Sequence, residues 1–294
     1  MLEQQDFSQL SNTETNTVYH LQLKRLTDIL DAALSVYWRH FRVFGPIVAI
    51  YFVLDSLREG VFSFLAENKG LIILDEYTEI LISALVYGLC VVVASEIYLG
   101  KATTLQNAIR GFQNRFPSYF GSTIIYLFPF LLLPLIPEED YPEILTVIGF
   151  FIGFPVAIYY LISLIFYGPV VIVEREASFD ALRRSRDLVR GTWWKIFWRV
   201  IGILVFIITI DYILTVSFGL LFAFLGLIHE VSAGSTIIYV LQAPFELSRI
   251  DSVASAIMRF LDIGANAFTT PIIVISVTLL YFNSRFLMRR LPPR

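Results

Sequence analysis

Charged residues are scarce in this chain. Asp, Glu, Lys and Arg make up 16% of its 294 residues, whereas soluble domains carry about a quarter. Hydrophobic residues make up 56%, and they form runs that are too long for the core strands or core helices of a soluble domain. The composition therefore excludes a soluble globular protein and predicts an all-α integral membrane protein, a polytopic bundle of helices.

Cysteine and histidine are also rare, and this excludes several kinds of site. The single cysteine, Cys90, lies in an apolar run, so an intrachain disulfide and a thiol metal site are both ruled out. The chain contains no phosphate-binding loop, dinucleotide fingerprint, nucleophile elbow or metal-spaced histidine pair. We therefore predict no enzymatic activity, no catalytic residue, no metal and no cofactor.

Lys and Arg are absent from the first twenty positions. A signal peptide begins with a positively charged region and a transit peptide is rich in Arg, so neither is expected here. We predict that 1–20 is a disordered cytoplasmic tail and that 21–294 form a single membrane domain.

Six apolar runs are long enough to cross a hydrocarbon core of about 30 Å. Eighteen of the 22 Lys and Arg residues lie on one side of these runs, and the opposite side is rich in acidic residues. By the positive-inside rule both termini are predicted to be cytoplasmic, in a prokaryotic cytoplasmic membrane or an internal membrane. The predicted spans are 43–64, 78–99, 119–136, 145–173, 200–228 and 262–284.

A helical pattern with an early Thr or Ser precedes each odd-numbered span. Thr27, Thr104 and Ser178 are suited to cap the first turn of a helix. An alanine follows each of them, at 33, 108 and 181. We predict a threefold internal repeat of surface helix, span, acidic turn and span, with modules at about 21–100, 101–176 and 177–290. The apolar stripe of each surface helix faces either the acyl chains or the spans.

The stretch before the fifth span is rich in arginine and tryptophan. Arg183, Arg186 and Arg190 recur at the spacing of one helical face. Arginine forks suit phosphate oxygens, and this predicts a contact with anionic lipid headgroups. The alternative is that these arginines act only as a topology signal.

Aromatic rings accompany these arginines. Trp193, Trp194 and Trp198 are expected at the cytoplasmic headgroup level, where amphipathic rings are favoured. Nucleic acid is not expected as a partner, because the chain is not basic overall and Asp180 and Asp187 are expected to pair with neighbouring arginines.

Ionisable residues also occur within the predicted spans. Asp211 is placed near the middle of the bilayer, where a carboxyl group is costly and marks a candidate functional site. The alternative is a structural carboxyl group that faces the bundle and is bonded to a hydroxyl on a neighbouring helix. Asp55, Arg58 and Glu59 share a helical face near the outer interface, which favours pairing among themselves.

The outer segment 229–261 is apolar for a loop between two spans. Apolar residues at helical spacing are not expected to be freely solvated. This segment is therefore a helix on the outer leaflet, a lid over the bundle, or a docking surface for a protein partner.

Four stretches resemble the glycerophosphoryl diester phosphodiesterase membrane-domain family: DILDAALSVYWRHFRVF, YLGKATTLQNAIRGF, GPVVIVEREASFDALRRSRDLVRGTWWKIF and LLYFNSRF. The similarity covers about residues 20 to 290. The resemblance implies a six-helix membrane domain and a link to lipids. It implies no hydrolase activity, because the chain has no catalytic barrel domain and no metal-binding cluster. In the third stretch the matching positions are Pro169, Glu174, Ala181, Ser185, Gly191 and Trp194.

Two functions remain open on these grounds. The first is a non-enzymatic membrane protein that contacts lipids, as a scaffold, assembly factor or accessory subunit of a membrane complex. The alternative is a transporter or lipid carrier that uses Asp211 and the proline-kinked spans. A carrier requires a polar path along which Asp211 faces a wet cavity.

Overall fold

The structure is a computed structural model that describes residues 25–65, 69–131, 149–225 and 253–290. Within these ranges every regular element is helical and none is a strand, which confirms the predicted all-α class. The predicted tail 1–20 and most of the outer segment 229–261 lie outside the described residues.

Ten α-helices and two π-helical segments make up the described part of the chain. The π-helical segments are Gly149–Gly153 and Val170–Glu174. The α-helices are α1 Leu26–Arg39, α2 Phe41–Leu65, α3 Lys69–Tyr98, α4 Leu105–Gln113, α5 Phe116–Leu131, α6 Phe154–Leu164, α7 Tyr167–Pro169, α8 Ser178–Val189, α9 Trp193–Phe224 and α10 Val253–Arg290.

Among the described residues, four helical stretches are long and apolar enough to cross a membrane: Ile73–Tyr98, Phe151–Glu174, Trp193–Phe224 and Ala256–Met288. Helices α1 and α2 meet at an angle of 89° and count as a fifth span if they are taken together. Helix α5 is described over 16 residues, and the rest of the predicted span 119–136 lies outside the described ranges. Helix α9 begins at Trp193, seven residues before the predicted fifth span, so the tryptophans lie within its first turns.

Helix α10 is the centre of the bundle. It packs against α1, α2, α3 and α9, and 72% of its most apolar stretch is buried, compared with 28% for α9. The outer face of α9 exposes large apolar side chains, among them Val205, Ile208 and Phe218. Such a face is suited to acyl chains rather than to water.

The short helices α1, α4 and α8 pack on the spans. Ala33, Ala108 and Ala181 are fully buried in one hydrophobic core that also contains residues of α3, α9 and α10. The apolar stripe of α1 therefore contacts the bundle through Ile29 and Ala33. Of the two orientations that the periodicity left open, the structure has the one in which the stripe packs on the spans.

One of the three predicted helix caps is correct. The Thr104 hydroxyl accepts a hydrogen bond from the Asn107 N–H at 3.3 Å. Thr27 lies inside α1, which begins after Arg25 because the Asp28 carboxylate accepts from the Arg25 N–H at 3.0 Å. Ser178 is the first residue of α8, and its hydroxyl donates instead to the Ser118 carbonyl of α5 at 3.0 Å.

Helix α4 approaches α3 closely at Gly88. A Cβ atom at Gly88 would lie 2.4 Å from the Phe112 ring and 2.9 Å from the Tyr119 ring. Glycine is therefore required for this contact, since both rings belong to the packed core.

We predict that Gly88→Ala lowers stability by about 1–3 kcal/mol, because the added methyl group overpacks this contact. Gly60→Ala is the matched control, as a Cβ atom there meets nothing within 4 Å, and it should raise helix stability by up to about 1 kcal/mol. Thermal unfolding of the detergent-solubilised variants measures both effects. Equal melting temperatures for the two variants would contradict the packing described here.

Candidate functional site

The three predicted arginines lie on α8 and at its C-terminal end. Arg183 and Arg186 are exposed on α8, but the helix ends at Val189 and Arg190 has a non-helical backbone with ψ 127°. The chain then turns at Gly191, whose φ of +85° is one that glycine adopts readily. Arg190 is the C-cap of α8: its N–H still donates to the Arg186 carbonyl at 3.0 Å, so its side chain leaves the helix at the expected helical position, and it is also exposed.

The expected pairing of these arginines with Asp180 and Asp187 does not occur. Among the described residues, no ion pair joins Arg183, Arg186 or Arg190 to any carboxylate. Their charges are therefore available to an external anion to a greater extent than the sequence suggested.

The three tryptophans of this region differ in their environment. Trp193 is partly buried, with its ring 5.2 Å from that of Phe197 and 5.5 Å from that of Tyr159. Trp194 and Trp198 are 66% and 63% exposed. Two tryptophans are thus accessible beside the exposed arginines, and one is part of the packing between α6 and α9.

Arg184 pairs with Glu174, a residue at the end of the fourth predicted span. The Glu174 carboxylate is 11% exposed and lies 2.9 Å from Arg184 Nε and 3.4 Å from Arg285 Nε. It also accepts a hydrogen bond from the Tyr281 hydroxyl at 2.8 Å. One carboxylate therefore joins the Val170–Glu174 segment to α8 and to α10.

Ser185 has a second structural role in the same region. The helix that precedes Glu174 is interrupted between Leu164 and Tyr167, shortly before Pro169, which has no N–H to donate. The fully buried Ser185 hydroxyl accepts from the Phe166 N–H at 3.0 Å and donates to the Ser163 carbonyl at 3.2 Å. A side chain of α8 thus satisfies the backbone groups that the break leaves free.

Asp211 faces a neighbouring helix, as predicted. Its carboxylate accepts a hydrogen bond from the Thr269 hydroxyl of α10 at 2.7 Å. Asp211 is absent from the lining of both cavities described below.

A cluster of charged side chains lies at the end of the bundle opposite α8. Arg58 is at its centre, with Nε 2.7 Å from Asp55 and Nη2 3.5 Å from Glu59 and 3.4 Å from Glu79, and it also contacts Asp75. Arg259 Nε lies 2.8 Å from Glu59. The predicted pairing within α2 is correct, but the Arg58 cluster extends to α3 and α10. It comprises Asp55, Arg58, Glu59, Asp75, Glu79 and Arg259.

A partly open cavity of about 420 Å³ lies beside the Arg58 cluster. Most of its wall is apolar carbon, and we call it the polar cavity because it also presents carboxyl, hydroxyl and amide groups. Four of its lining residues are tyrosines, and Glu79 is the only ionisable carboxyl group among them. The part of the lining that the structure describes includes no Lys, Arg or His. Residues of α2, α3, α5, α7 and α10 contribute: Tyr51, Glu79, Ile80, Ser83, Ala84, Tyr87, Thr123, Tyr126, Leu127, Tyr167, Asn266 and Thr270.

A second cavity, of about 270 Å³, adjoins the first and is apolar. Tyr87, Tyr126 and Tyr167 line both cavities. The remaining wall of the apolar cavity is mostly aliphatic and includes Leu161, Ile203 and Val274. The two cavities together form an amphipathic space, polar towards the Arg58 cluster and apolar on the other side of the three tyrosines.

Apart from Pro169, the residues that line these cavities were not predicted from the sequence to belong to a site. A signal was present, because Glu79, Ser83 and Tyr87 follow each other at four-residue intervals on α3, and Asn266 and Thr270 do the same on α10. Such spacing places polar groups on one face of an apolar span.

No protein-family model, curated protein or solved structure matches the chain. The resemblance to the glycerophosphoryl diester phosphodiesterase membrane-domain family therefore stays a prediction.

We predict that Glu174→Gln lowers stability by about 1–3 kcal/mol, because it leaves two partly exposed arginines without their shared anion. Glu176→Gln is the control: Glu176 is exposed and forms no ion pair with the described residues, so its change should stay within about 0.5 kcal/mol. Thermal unfolding in detergent measures the difference. Equal stability of the two variants would show that Glu174 does not join these helices.

Proposed function

We propose that the chain is a non-enzymatic integral membrane protein that binds a lipid inside its helix bundle, as a scaffold or accessory subunit of a membrane complex. The amphipathic pair of cavities is the observation that carries this proposal. The polar cavity alone, at about 420 Å³, is within the size of small-molecule sites, about 300–1,000 Å³. A ligand with a polar head and an apolar chain matches the pair, with its head in the polar cavity and its chain in the apolar one.

We propose further that the domain has six spans in three modules, with both termini cytoplasmic. The asymmetry of Lys and Arg supports this arrangement. Two contacts between modules support the repeat, because a glycine of the second module faces the start of the third surface helix and a glycine of the third module faces the start of the first. Gly45 of the first module, by contrast, faces Phe41 of its own module. A Cβ atom at Gly121 would lie 2.7 Å from the Ser178 hydroxyl, and one at Gly202 would lie 2.2 Å from a Leu26 methyl group.

The alternative function, a carrier that uses Asp211 and the kinked spans, has less support. The Asp211 carboxylate is bonded to Thr269 and lines neither cavity. The break near Pro169 is bridged by Ser185, so it is explained as a satisfied structural feature.

We predict that Leu161→Trp, which fills the apolar cavity, lowers the amount of co-purified lipid several-fold. The larger side chain occupies the space that an acyl chain would need. Native mass spectrometry of the protein after gentle solubilisation counts the lipids that remain bound.

The control for this experiment is Val205→Trp on the exposed face of α9, where the side chain is 58% exposed and lines neither cavity. It should retain the lipid of the unchanged protein. Equal lipid retention by both folded variants would remove the proposal of a lipid in the bundle.

A second lipid contact is proposed at the exposed arginines and tryptophans of α8 and α9. Arg183, Arg186 and Arg190 are exposed without an ion pair among the described residues, and Trp194 and Trp198 are exposed beside them. A basic residue near an anionic leaflet contributes about 1 kcal/mol. We therefore propose that this surface holds anionic headgroups on the cytoplasmic side. Trp193 supports the position of its two exposed neighbours.

We predict that replacing Arg183, Arg186 and Arg190 with Gln lowers binding to anionic liposomes by about tenfold or more at low salt, since three favourable charges are lost. Co-flotation of the purified protein with phosphatidylglycerol liposomes measures binding, and phosphatidylcholine liposomes are the reference. Unchanged flotation of a correctly inserted triple variant would leave this stretch with a role in topology only.

A further inference from the structure

We propose that the polar cavity binds a positively charged amine, so that the lipid held in the bundle carries an ammonium headgroup. This inference rests on the proposed function, and it adds the chemical class of the headgroup. The charge of the cavity, its aromatic wall and its unpaired polar groups each support it.

The charge around the polar cavity is negative. In the adjoining Arg58 cluster four carboxylates face two guanidinium groups. Glu79 is the most exposed of these acids, at 54%, and its contact with Arg58 is long, at 3.4 Å. Its carboxylate is therefore the one best able to pair with a further cation.

The same lining offers no cation to an anionic headgroup. Lys, Arg and His are absent from the lining residues that the structure describes, and the Arg58 guanidinium in the adjoining cluster is already surrounded by carboxylates. A phosphate held there without a partner would lose its hydration at a large cost in free energy. The lining therefore disfavours a headgroup whose outermost group is an anion.

The aromatic wall favours a cation. Tyr51, Tyr87, Tyr126 and Tyr167 line the cavity together with Glu79, and the rings of Tyr126 and Tyr167 lie 4.8 Å apart. Several aromatic rings beside one carboxylate are the surroundings in which proteins bind ammonium groups, since ring faces attract cations.

Unpaired polar groups line the same space. Among the described residues, the hydroxyls of Tyr87 and Tyr126 have no hydrogen-bond partner. The Asn266 amide oxygen accepts from the Thr270 hydroxyl at 3.3 Å, but Asn266 is exposed and this oxygen can accept a second hydrogen bond. A primary ammonium group has three N–H donors, and phenol and amide oxygens are suited to accept them.

The position of the tyrosines links the headgroup to its chain. Tyr87, Tyr126 and Tyr167 also line the apolar cavity, so an ammonium group beside Glu79 would leave its apolar tail on the far side of these rings. An amine-bearing lipid satisfies both halves, whereas a small free amine would occupy only the polar one.

Lipid competition in maltoside micelles tests this inference. The lipids are phosphatidylethanolamine, phosphatidylglycerol and diacylglycerol with identical acyl chains, and native mass spectrometry measures retention of each. Free ethanolamine in a separate titration tests a small amine as the source of the ammonium group. Glu79→Gln removes the negative charge, and Glu76→Gln is the matched control, because Glu76 is exposed on the same helix and does not line the cavity.

The expected result is that phosphatidylethanolamine is retained roughly tenfold better than the other two lipids. This preference should be lost in Glu79→Gln and kept in Glu76→Gln. Tyr126→Phe should retain most of the preference, and Tyr126→Leu, which removes the ring, should reduce it. Binding of free ethanolamine as tight as that of the lipid would assign the site to a small amine.

Two outcomes would overturn the inference. One is equal retention of phosphatidylglycerol, and the other is an unchanged preference in Glu79→Gln. Either outcome leaves the proposed lipid site intact as long as Leu161→Trp still lowers retention of all three lipids. If Leu161→Trp lowers none of them, the proposed function fails and the inference fails with it.

Discussion

A polar group inside an apolar bundle is costly unless it has a partner within the protein, since acyl chains offer none. The described helices meet this constraint repeatedly. Ser185 satisfies the backbone groups at the helix break, Thr269 donates to Asp211, and Tyr281 and two arginines share the Glu174 carboxylate. Each of these contacts joins elements that are distant in sequence. The same requirement that makes polar residues costly also determines how the helices pack.

The sequence predicted the class of fold and the position of most long helices, because hydrophobic length is a local property that a window of about 20 residues reports. It also predicted that Asp211 faces a hydroxyl, since an unpaired carboxyl group in lipid is costly. Helix α9 also includes Trp193, Trp194 and Lys195, because a helix can continue past the apolar run that hydropathy reports.

The errors in the candidate site came from competition between partners. Periodicity places Arg183, Arg186 and Arg190 on one face, and the turn at Gly191 ends the helix directly after Arg190, which is its C-cap. Asp180 and Asp187 were the nearest carboxylates in sequence, yet Arg184 pairs with the more buried Glu174. Long-range contacts of this kind depend on how α8 and α10 meet, and local spacing does not specify that.

The cavities show most clearly that local spacing in the sequence does not specify a site formed by several helices. Their lining combines residues of α2, α3, α5, α7 and α10, and under the proposed repeat all three modules contribute. Each helix supplies between one and three polar side chains, a number that is ordinary in any single span. These side chains form a site only where the modules meet. The two ends of the bundle then differ in charge, with exposed arginines near α8 and excess carboxylates near Arg58. Anionic headgroups would accordingly be favoured at the arginine end and amine headgroups beside Glu79, so one chain would distinguish lipids by the sign of the charge that each end presents.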